Sequence, residues 1–260
     1  MSKPTILITN DDGINAKGLR YLISVMRKLG DVTVVASEFP MSATSHSITV
    51  RSPLRLEKII EEDGYREYQC NGTPVDCMKL GEQVVLRKKP DLLVSGVNHG
   101  SNASVNVVYS GTMAAVIEGC ISGIPSIGFS LLDYSSKADF SACGNFINEI
   151  TGKVLKEGLP QGVCLNVNIP AIKAEEINGI KICRQSKARW VEEFDVRKDP
   201  REKDYFWLTG YFEKLDNEPD TDQWALENHY VSVVPTQFDF TAHKEIATIK
   251  KWQLNGKSIK

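Results

Sequence analysis

The first half of the chain alternates short β-branched runs with stretches whose apolar residues recur at helical spacing. Thr5-Ile6-Leu7-Ile8 reads as a strand, and Leu19, Leu22, Ile23 and Met26 follow at i, i+3, i+4 and i+7, the pattern of an amphipathic helix. Gly30-Asp31 returns the chain to a second strand at Val32-Thr33-Val34-Val35-Ala36, a connection short enough for a parallel sheet. Leu92-Leu93-Val94 gives another buried strand. Met113, Val116, Ile117 and Cys120 repeat the helical spacing, Gly123 breaks it, and Ile124 to Leu131 supplies the next strand. Phe146, Ile150 and Val154 mark a further helix before the strand Val163-Cys164-Leu165-Asn166-Val167. Tyr230 to Pro235 is a later strand, and Thr241 onward reads as a terminal helix carrying Ile246, Ile249 and Trp252.

Near-continuously apolar strands separated by amphipathic helices predict a parallel sheet covered on both faces, a doubly wound α/β core. In such a sheet ligands bind beyond the carboxyl ends of the strands, so chemistry is expected just after Ile8, Ala36 and Val94. From Lys187 to Asp222 the pattern changes: 18 of 36 residues are charged, with Trp190, Phe194, Tyr205, Phe206 and Trp207 among them. That mixture fits a solvated hairpin packed on its own core, or an oligomer contact. The expected organisation is one domain over 1–260, with a core over about 1–183, a charged β excursion over about 187–222, and a C-terminal strand and helical arm over about 228–260.

A net charge of −2 removes the general positive field that would recruit a nucleic acid polymer or an anionic membrane. Small phosphate esters stay within reach, because a metal and a few backbone amides bind an anion locally. Cys70, Cys77, Cys120, Cys143, Cys164 and Cys183 form no C-x-x-C pair and sit in apolar segments, as reduced core residues of a cytoplasmic protein do. The N-terminal apolar run, Ile6 to Ile8, is far short of a signal or membrane-spanning segment.

Three segments carry candidate chemistry. Asn10-Asp11-Asp12-Gly13 follows the first strand, and two adjacent carboxylates there call for a cation; a hard divalent ion fits, although Asp12 capping the next helix is an alternative. Pro40-Met41-Ser42-Ala43-Thr44-Ser45-His46-Ser47 follows the second strand and offers either ligating hydroxyls and phosphate donors or an ordinary hydroxyl-rich turn. Ser95-Gly96-Val97-Asn98-His99-Gly100-Ser101-Asn102 follows the third. There Asn98 can present an amide oxygen to a metal, and Ser110-Gly111-Thr112 opens a helix whose free amides either bind an anion or are simply capped. A fourth segment, Asn71-Gly72-Thr73-Pro74-Val75-Asp76, is a helix start with Thr73 as cap and Asp76 three residues later; Asn71 and Thr73 can also line a substrate pocket. No P-loop, G-x-G-x-x-G after the first strand, H-E-x-x-H, zinc spacing or G-x-S-x-G elbow is present, which leaves metal-assisted phosphoryl chemistry.

Taken together, ILITNDDGINAKGL, MSATSHSIT, NGTPVDCMKLG, DLLVSGVNHGSN and VVYSGTMAAVIEG resemble the survival protein SurE family of nucleotide phosphatases, over most of residues 5 to 131. The C-terminal half matches more loosely, through Leu165 to Pro170 and Asp239 to His243. The resemblance implies a Rossmann-like core with a β-hairpin excursion and a C-terminal arm exchanged in a homodimer or homotetramer. It implies hydrolysis of nucleoside 5′-monophosphates, with 3′-monophosphates and short polyphosphate as further substrates. Carried over by position, the metal ligands fall on Asp11, Asp12, Ser42 and Asn98, which would hold one Mg²⁺ or Mn²⁺ per subunit. The phosphate signature falls on Ser110, Gly111 and Thr112, and Asn102 of the SGVNHGSN block joins the substrate-binding set. Met41 stands where the family commonly has Arg, and Ser45-His46 where Gly or Asn is common; both border the site and bear on substrate preference.

The expected reaction is in-line attack by water, with Asn10 or His99 as orienting group and Asp11 and Asp12 as the catalytic acids. Direct attack by Asp11 is the alternative nucleophilic route. A metal-dependent nucleotide sensor without turnover is the rival function, and an interaction module built on Lys187 to Asp222 a third. Asp239 and His243 either tether the arm to a neighbouring subunit or make an ordinary helix-start contact.

Overall fold

Strand β1 (Thr5–Thr9) shows how the core is assembled in the computed structural model, which describes residues 3–252 and 254. Successive strand side chains point to opposite faces. Ile6 and Ile8 therefore pack with Leu19, Leu22 and Met26 of α1 (Lys17–Met26), while Leu7 packs with Cys77 and Met78 of α2 (Pro74–Leu80) on the other face. The second face is shared by α3 (Gly111–Ile121), and the first by α4 (Gly144–Glu157). Each large α1 side chain taken fully out of water contributes about 1.5–3 kcal/mol, which is what holds this ten-residue helix on the sheet. The predicted doubly wound α/β core is thus the observed one.

The remaining strands are β2 (Asp31–Ser37), β3 (Leu56–Glu62), β4 (Tyr65–Cys70), β5 (Leu92–His99), β6 (Ser126–Leu131), β7 (Val163–Ile169), β8 (Ile180–Ile182), β9 (Ala188–Lys198), β10 (Asp204–Lys214) and β11 (Val231–Gln237). Eight of these and β1 form one nine-stranded sheet in the order β3-β4-β2-β1-β5-β6-β7-β11-β8, and among the described residues β9 pairs only with β10. The run from β4 to β7 is parallel; β3 on β4 and β11 on β7 are antiparallel. The β3–β4 hairpin has no counterpart in the apolar pattern of the sequence. Its strands are too polar to read as buried, and the Asp63-Gly64 dipeptide was the available turn signal.

Strand β5 also runs farther than its apolar stretch. The backbone pairs with β6 on to His99, across an irregularity in which Gly96 and Val97 stand opposite a single residue, Phe129. Gly96 has φ +125°, a conformation that L side chains rarely adopt, and the bulge re-aims the residues after it. The charged excursion is the β9–β10 hairpin followed by α5 (Asp222–Glu227). In the arm, a 3₁₀ turn at His243–Glu245 leads into the short α6 (Ile246–Lys250); the expected arm's residues 253 and 255–260 lie outside the described residues. No helix of the described residues is long and apolar enough to cross a membrane.

Candidate active site

The chain leaves β1 toward β2 and the β3–β4 edge, then returns to lay β5 on the other side of β1. This is a topological switch point, and the crevice at the carboxyl ends of β1 and β5 is where such sheets bind ligands. Asn10, Asp11 and Asp12 extend from β1, and Asn98 and His99 end β5. Ser110, as N-cap of α3, brings a helix N-terminus to the same place, its hydroxyl accepting from the Met113 N–H at 3.0 Å.

Asp11 is buried, and its Oδ1 accepts a 2.5 Å hydrogen bond from the Thr112 hydroxyl. Burial, reinforced by the neighbouring Asp12 charge, pushes the Asp11 carboxyl up to about 6, although the Thr112 hydrogen bonds oppose the rise. Asp12 Oδ2 accepts from the His99 N–H at 3.0 Å, and burial still raises its pKa above the ordinary carboxylate value. Two crowded carboxylates that resist ionising are stabilised by a nearby cation. Gly111 is what lets α3 come so close: a Cβ there would stand 2.8 Å from Asp11 Cβ and 3.0 Å from its Oδ2.

Asp11, Ser42, Asn98, His99, Asn102 and Ser110 line one cleft of about 500 Å³. Asn98 Nδ2 donates to the Gly100 carbonyl at 2.8 Å, which holds the amide in place and leaves its oxygen without a protein donor among the described residues. Thr112 serves Asp11 with its hydroxyl, so of the expected phosphate signature Ser110 faces the cleft. Asn102 is fixed from three sides: its side chain donates to Ser130 Oγ at 2.9 Å, its N–H to Asn168 Oδ1 at 2.8 Å, and its carbonyl accepts from Asn166 Nδ2 at 2.8 Å. The sequence signal for this buried network was Asn166 and Asn168 inside an otherwise apolar strand. Asn10 is buried behind the cleft, its Nδ2 donating to the Gly13 carbonyl at 2.9 Å, and its Oδ1 has no partner among the described residues. His99 lines the cleft with its ring edge-on to Phe140, at a centroid separation of 4.9 Å.

The hydroxyl-rich loop is clamped to α3. His46 Nε2 lies 2.8 Å from Glu118 Oε2, and Lys79 takes the other oxygen of the same buried carboxylate. Burial works against the Glu118 charge, but Lys79 and His46 outweigh it and hold its carboxyl below the ordinary range. Asn71 and Thr73 sit elsewhere: Asn71 Oδ1 accepts from Arg55 N–H at 2.8 Å, and Thr73 and Asp76 form the reciprocal cap of α2. Asp239 accepts from the Thr241 N–H at 2.9 Å and pairs with His243 at 2.6 Å, a contact local to the arm.

The charged excursion turns out to be part of the cleft, whose wall includes Trp190, Glu192, Leu208, Thr209 and Gly210. Asp222 explains how it is held. This fully buried carboxylate accepts from Ser104 N–H at 2.7 Å and Ser186 N–H at 3.0 Å, joining the hairpin base to the loop after β5. Charge composition alone hid it among solvated neighbours.

The family model described as Survival protein SurE matches residues 6–192, most of the chain and every residue of the carboxylate and α3 cluster. The chain belongs to the SurE family. A curated 5′-nucleotidase SurE from Flavobacterium psychrophilum is 58% identical over 256 residues, covering 98% of this chain and 100% of that protein. Another from Cytophaga hutchinsonii is 52% identical over 252 residues, covering 96% of this chain and 97% of that one. The crystal structure of the SurE protein from Aquifex aeolicus superposes with a TM-score of 0.83 at 40% identity, covering 96% of this chain and 100% of that chain. In this SurE chain the match to the family model ends inside β9, so β10 and the arm lie beyond it.

Proposed function

We propose that the protein is a divalent-metal-dependent phosphomonoesterase that hydrolyses nucleoside 5′-monophosphates to nucleoside and phosphate. The observation that carries this reading is the buried Asp11 carboxylate, with half-buried Asp12 beside it, lining one cleft with the Asn98 amide, the Ser42 hydroxyl and the N-cap of α3. The names of the curated relatives point the same way. Nucleoside 3′-monophosphates and short polyphosphate are secondary substrates on this reading.

The donor chemistry fits a hard cation: carboxylates of Asp11 and Asp12, the Asn98 amide oxygen and the Ser42 hydroxyl are oxygen ligands. Among the described residues no group of three or more His, Cys, Asp or Glu side chains is placed to hold a metal, so the amide and hydroxyl are needed to complete the set. Bound Mg²⁺ or Mn²⁺ would supply charge neutralisation and polarisation of a phosphate oxygen. The chain does the rest. Thr112 orients Asp11, Ser110 and the first-turn amides of α3 receive phosphate oxygens, and Gly111 keeps the two within reach of one another. His99, which lines the cleft, is better placed than buried Asn10 to orient an attacking water.

Six buried free cysteines support a cytoplasmic setting. Exposed Phe240, Trp252 and Leu254 on the arm support its exchange within a homodimer or homotetramer, which light scattering on the full chain would read as mass. Phosphate release from a panel of 5′- and 3′-mononucleotides, with Mg²⁺, Mn²⁺ or EDTA, tests the function. Release abolished by EDTA and by Asp11→Asn is expected; nucleotide binding without release under any metal would replace the hydrolase with a sensor.

A further inference from the structure

The hairpin gives the cleft an aromatic face and a carboxylate that the phosphate chemistry leaves unused. Trp190 is held twice: its Nε1 donates to Asn106 Oδ1 at 2.9 Å, and its ring meets Phe212 edge-on at a centroid separation of 5.5 Å. Asn106 in turn donates through Nδ2 to the Ser101 carbonyl at 3.3 Å, which fixes the indole to the loop after β5. The ring still leaves 42% of the residue surface open, and it lines the same cleft as Asp11 and Ser110. An immobilised aromatic face costs little further ordering when a planar ring stacks on it. Glu192 stands two residues along β9, on the same face of the strand, and also lines the cleft. It makes no ion pair and no side-chain hydrogen bond among the described residues.

We infer that the base of the β9–β10 hairpin is the nucleoside subsite: Trp190 stacks the nucleobase, and Glu192 accepts hydrogen bonds from ribose hydroxyls while repelling a second phosphate. The inference rests on the phosphomonoesterase reading of the carboxylate end. With a phosphate ester anchored between the Asp11 cluster and the start of α3, the rest of the substrate meets the wall that the hairpin supplies. A cleft of about 500 Å³ is of the size that encloses a small organic ligand. A free carboxylate on that wall rewards hydroxyl donors and penalises like charge, so selectivity arises from repulsion as well as attraction. Nucleoside 3′,5′-bisphosphates and polyphosphate chains are accordingly ranked below nucleoside monophosphates.

The test compares kcat/KM for adenosine 5′-monophosphate, ribose 5-phosphate and adenosine 3′,5′-bisphosphate, using the full chain with Mn²⁺. Trp190→Ala is expected to shrink the preference for the nucleotide over ribose 5-phosphate by about tenfold, the scale of one base stacked on an aromatic ring, with Trp190→Phe recovering most of it. Glu192→Gln is expected to raise the bisphosphate-to-monophosphate ratio by about tenfold through loss of like-charge repulsion. Calorimetric binding of adenosine 5′-monophosphate, with orthophosphate as reference, reads the subsite without turnover. A Trp190→Ala protein that keeps both its substrate preference and its nucleotide affinity overturns the inference, as does a Glu192→Gln protein with an unaltered ratio. If the unsubstituted protein releases no phosphate but Trp190 still governs nucleotide affinity, the hydrolase reading fails and the subsite stands.

Discussion

Asp11→Asn is expected to stabilise the metal-free protein while removing activity. The folded-state carboxyl sits at about 6 against an ordinary 3.8, because it is buried beside Asp12. A raised carboxylate pKa means that the folded state holds its proton more tightly than the unfolded state. Its stability contribution is therefore greatest below about pH 4 and is lost as pH rises through about 6. Above that range the penalty levels off near 3 kcal/mol, the cost at about 1.36 kcal/mol per pH unit of moving the carboxyl from 3.8 to about 6. The neutral amide escapes this penalty, and its oxygen still accepts from the Thr112 hydroxyl that now bonds Asp11 Oδ1.

Unfolding entropy of about 2.1 cal/mol/K per residue over 260 residues converts 3 kcal/mol into a rise in Tm of about 5 °C. Scanning calorimetry in EDTA at pH 7.5 and pH 4.5, on the native chain and Asp11→Asn, is the assay. The variant melts higher at pH 7.5, the gap narrows at pH 4.5, and Mn²⁺ reverses the order by stabilising only the chain that binds it. A variant that melts at or below the native chain at pH 7.5, or a gap indifferent to pH, refutes the reasoning.

Gly111→Ala places a methyl 2.8 Å from Asp11 Cβ, so kcat/KM should fall by about 100-fold from misplacement of the carboxylate, read by steady-state kinetics. Thr112→Val removes the donor to Asp11 Oδ1 and should cut kcat/KM by about tenfold, with Thr112→Ser restoring most of it. Asp222→Ala strands the buried N–H groups of Ser104 and Ser186 and should destabilise the fold by about 3 kcal/mol in urea titration; equal stability would show that Asp222 does not anchor the hairpin.

The parallel core was legible because fully buried strands and amphipathic helices write their periods directly into the sequence, as in Ile6 to Ile8 and Leu19 to Met26. The same pattern placed Asp11, Ser42, Asn98 and Ser110 after strand ends or at a helix start, and the structure brings them to one cleft. What stayed hidden depends on pairing across the chain. β5 continues through the polar residues Asn98 and His99 because its backbone finds β6, which no side-chain period reports. Thr112 could be read as a cap or a phosphate donor, and only the close approach permitted by Gly111 turns it to Asp11.

The hairpin is the sharper lesson, because its charge density argued for a solvated element and much of it is solvated: Phe194, Val196, Phe206 and Leu208 are exposed beside the charges. Yet one end of it walls the cleft. The anchor is polar rather than apolar: Asp222 and Ser186 join the hairpin base to Ser104, and Trp190 reaches Asn106 through its indole N–H. Hydrogen bonds of this kind fix position while burying little apolar surface, so neither hydrophobic periodicity nor net charge reveals them. On the proposed function, they also let a rigid phosphate end be combined with a separately anchored wall. The carboxylates and the α3 N-terminus are set by the sheet's switch point and its packed helices. The residues proposed to meet the rest of the substrate stand on a two-stranded element outside that sheet, where Trp190 and Glu192 can be exchanged without repacking the core.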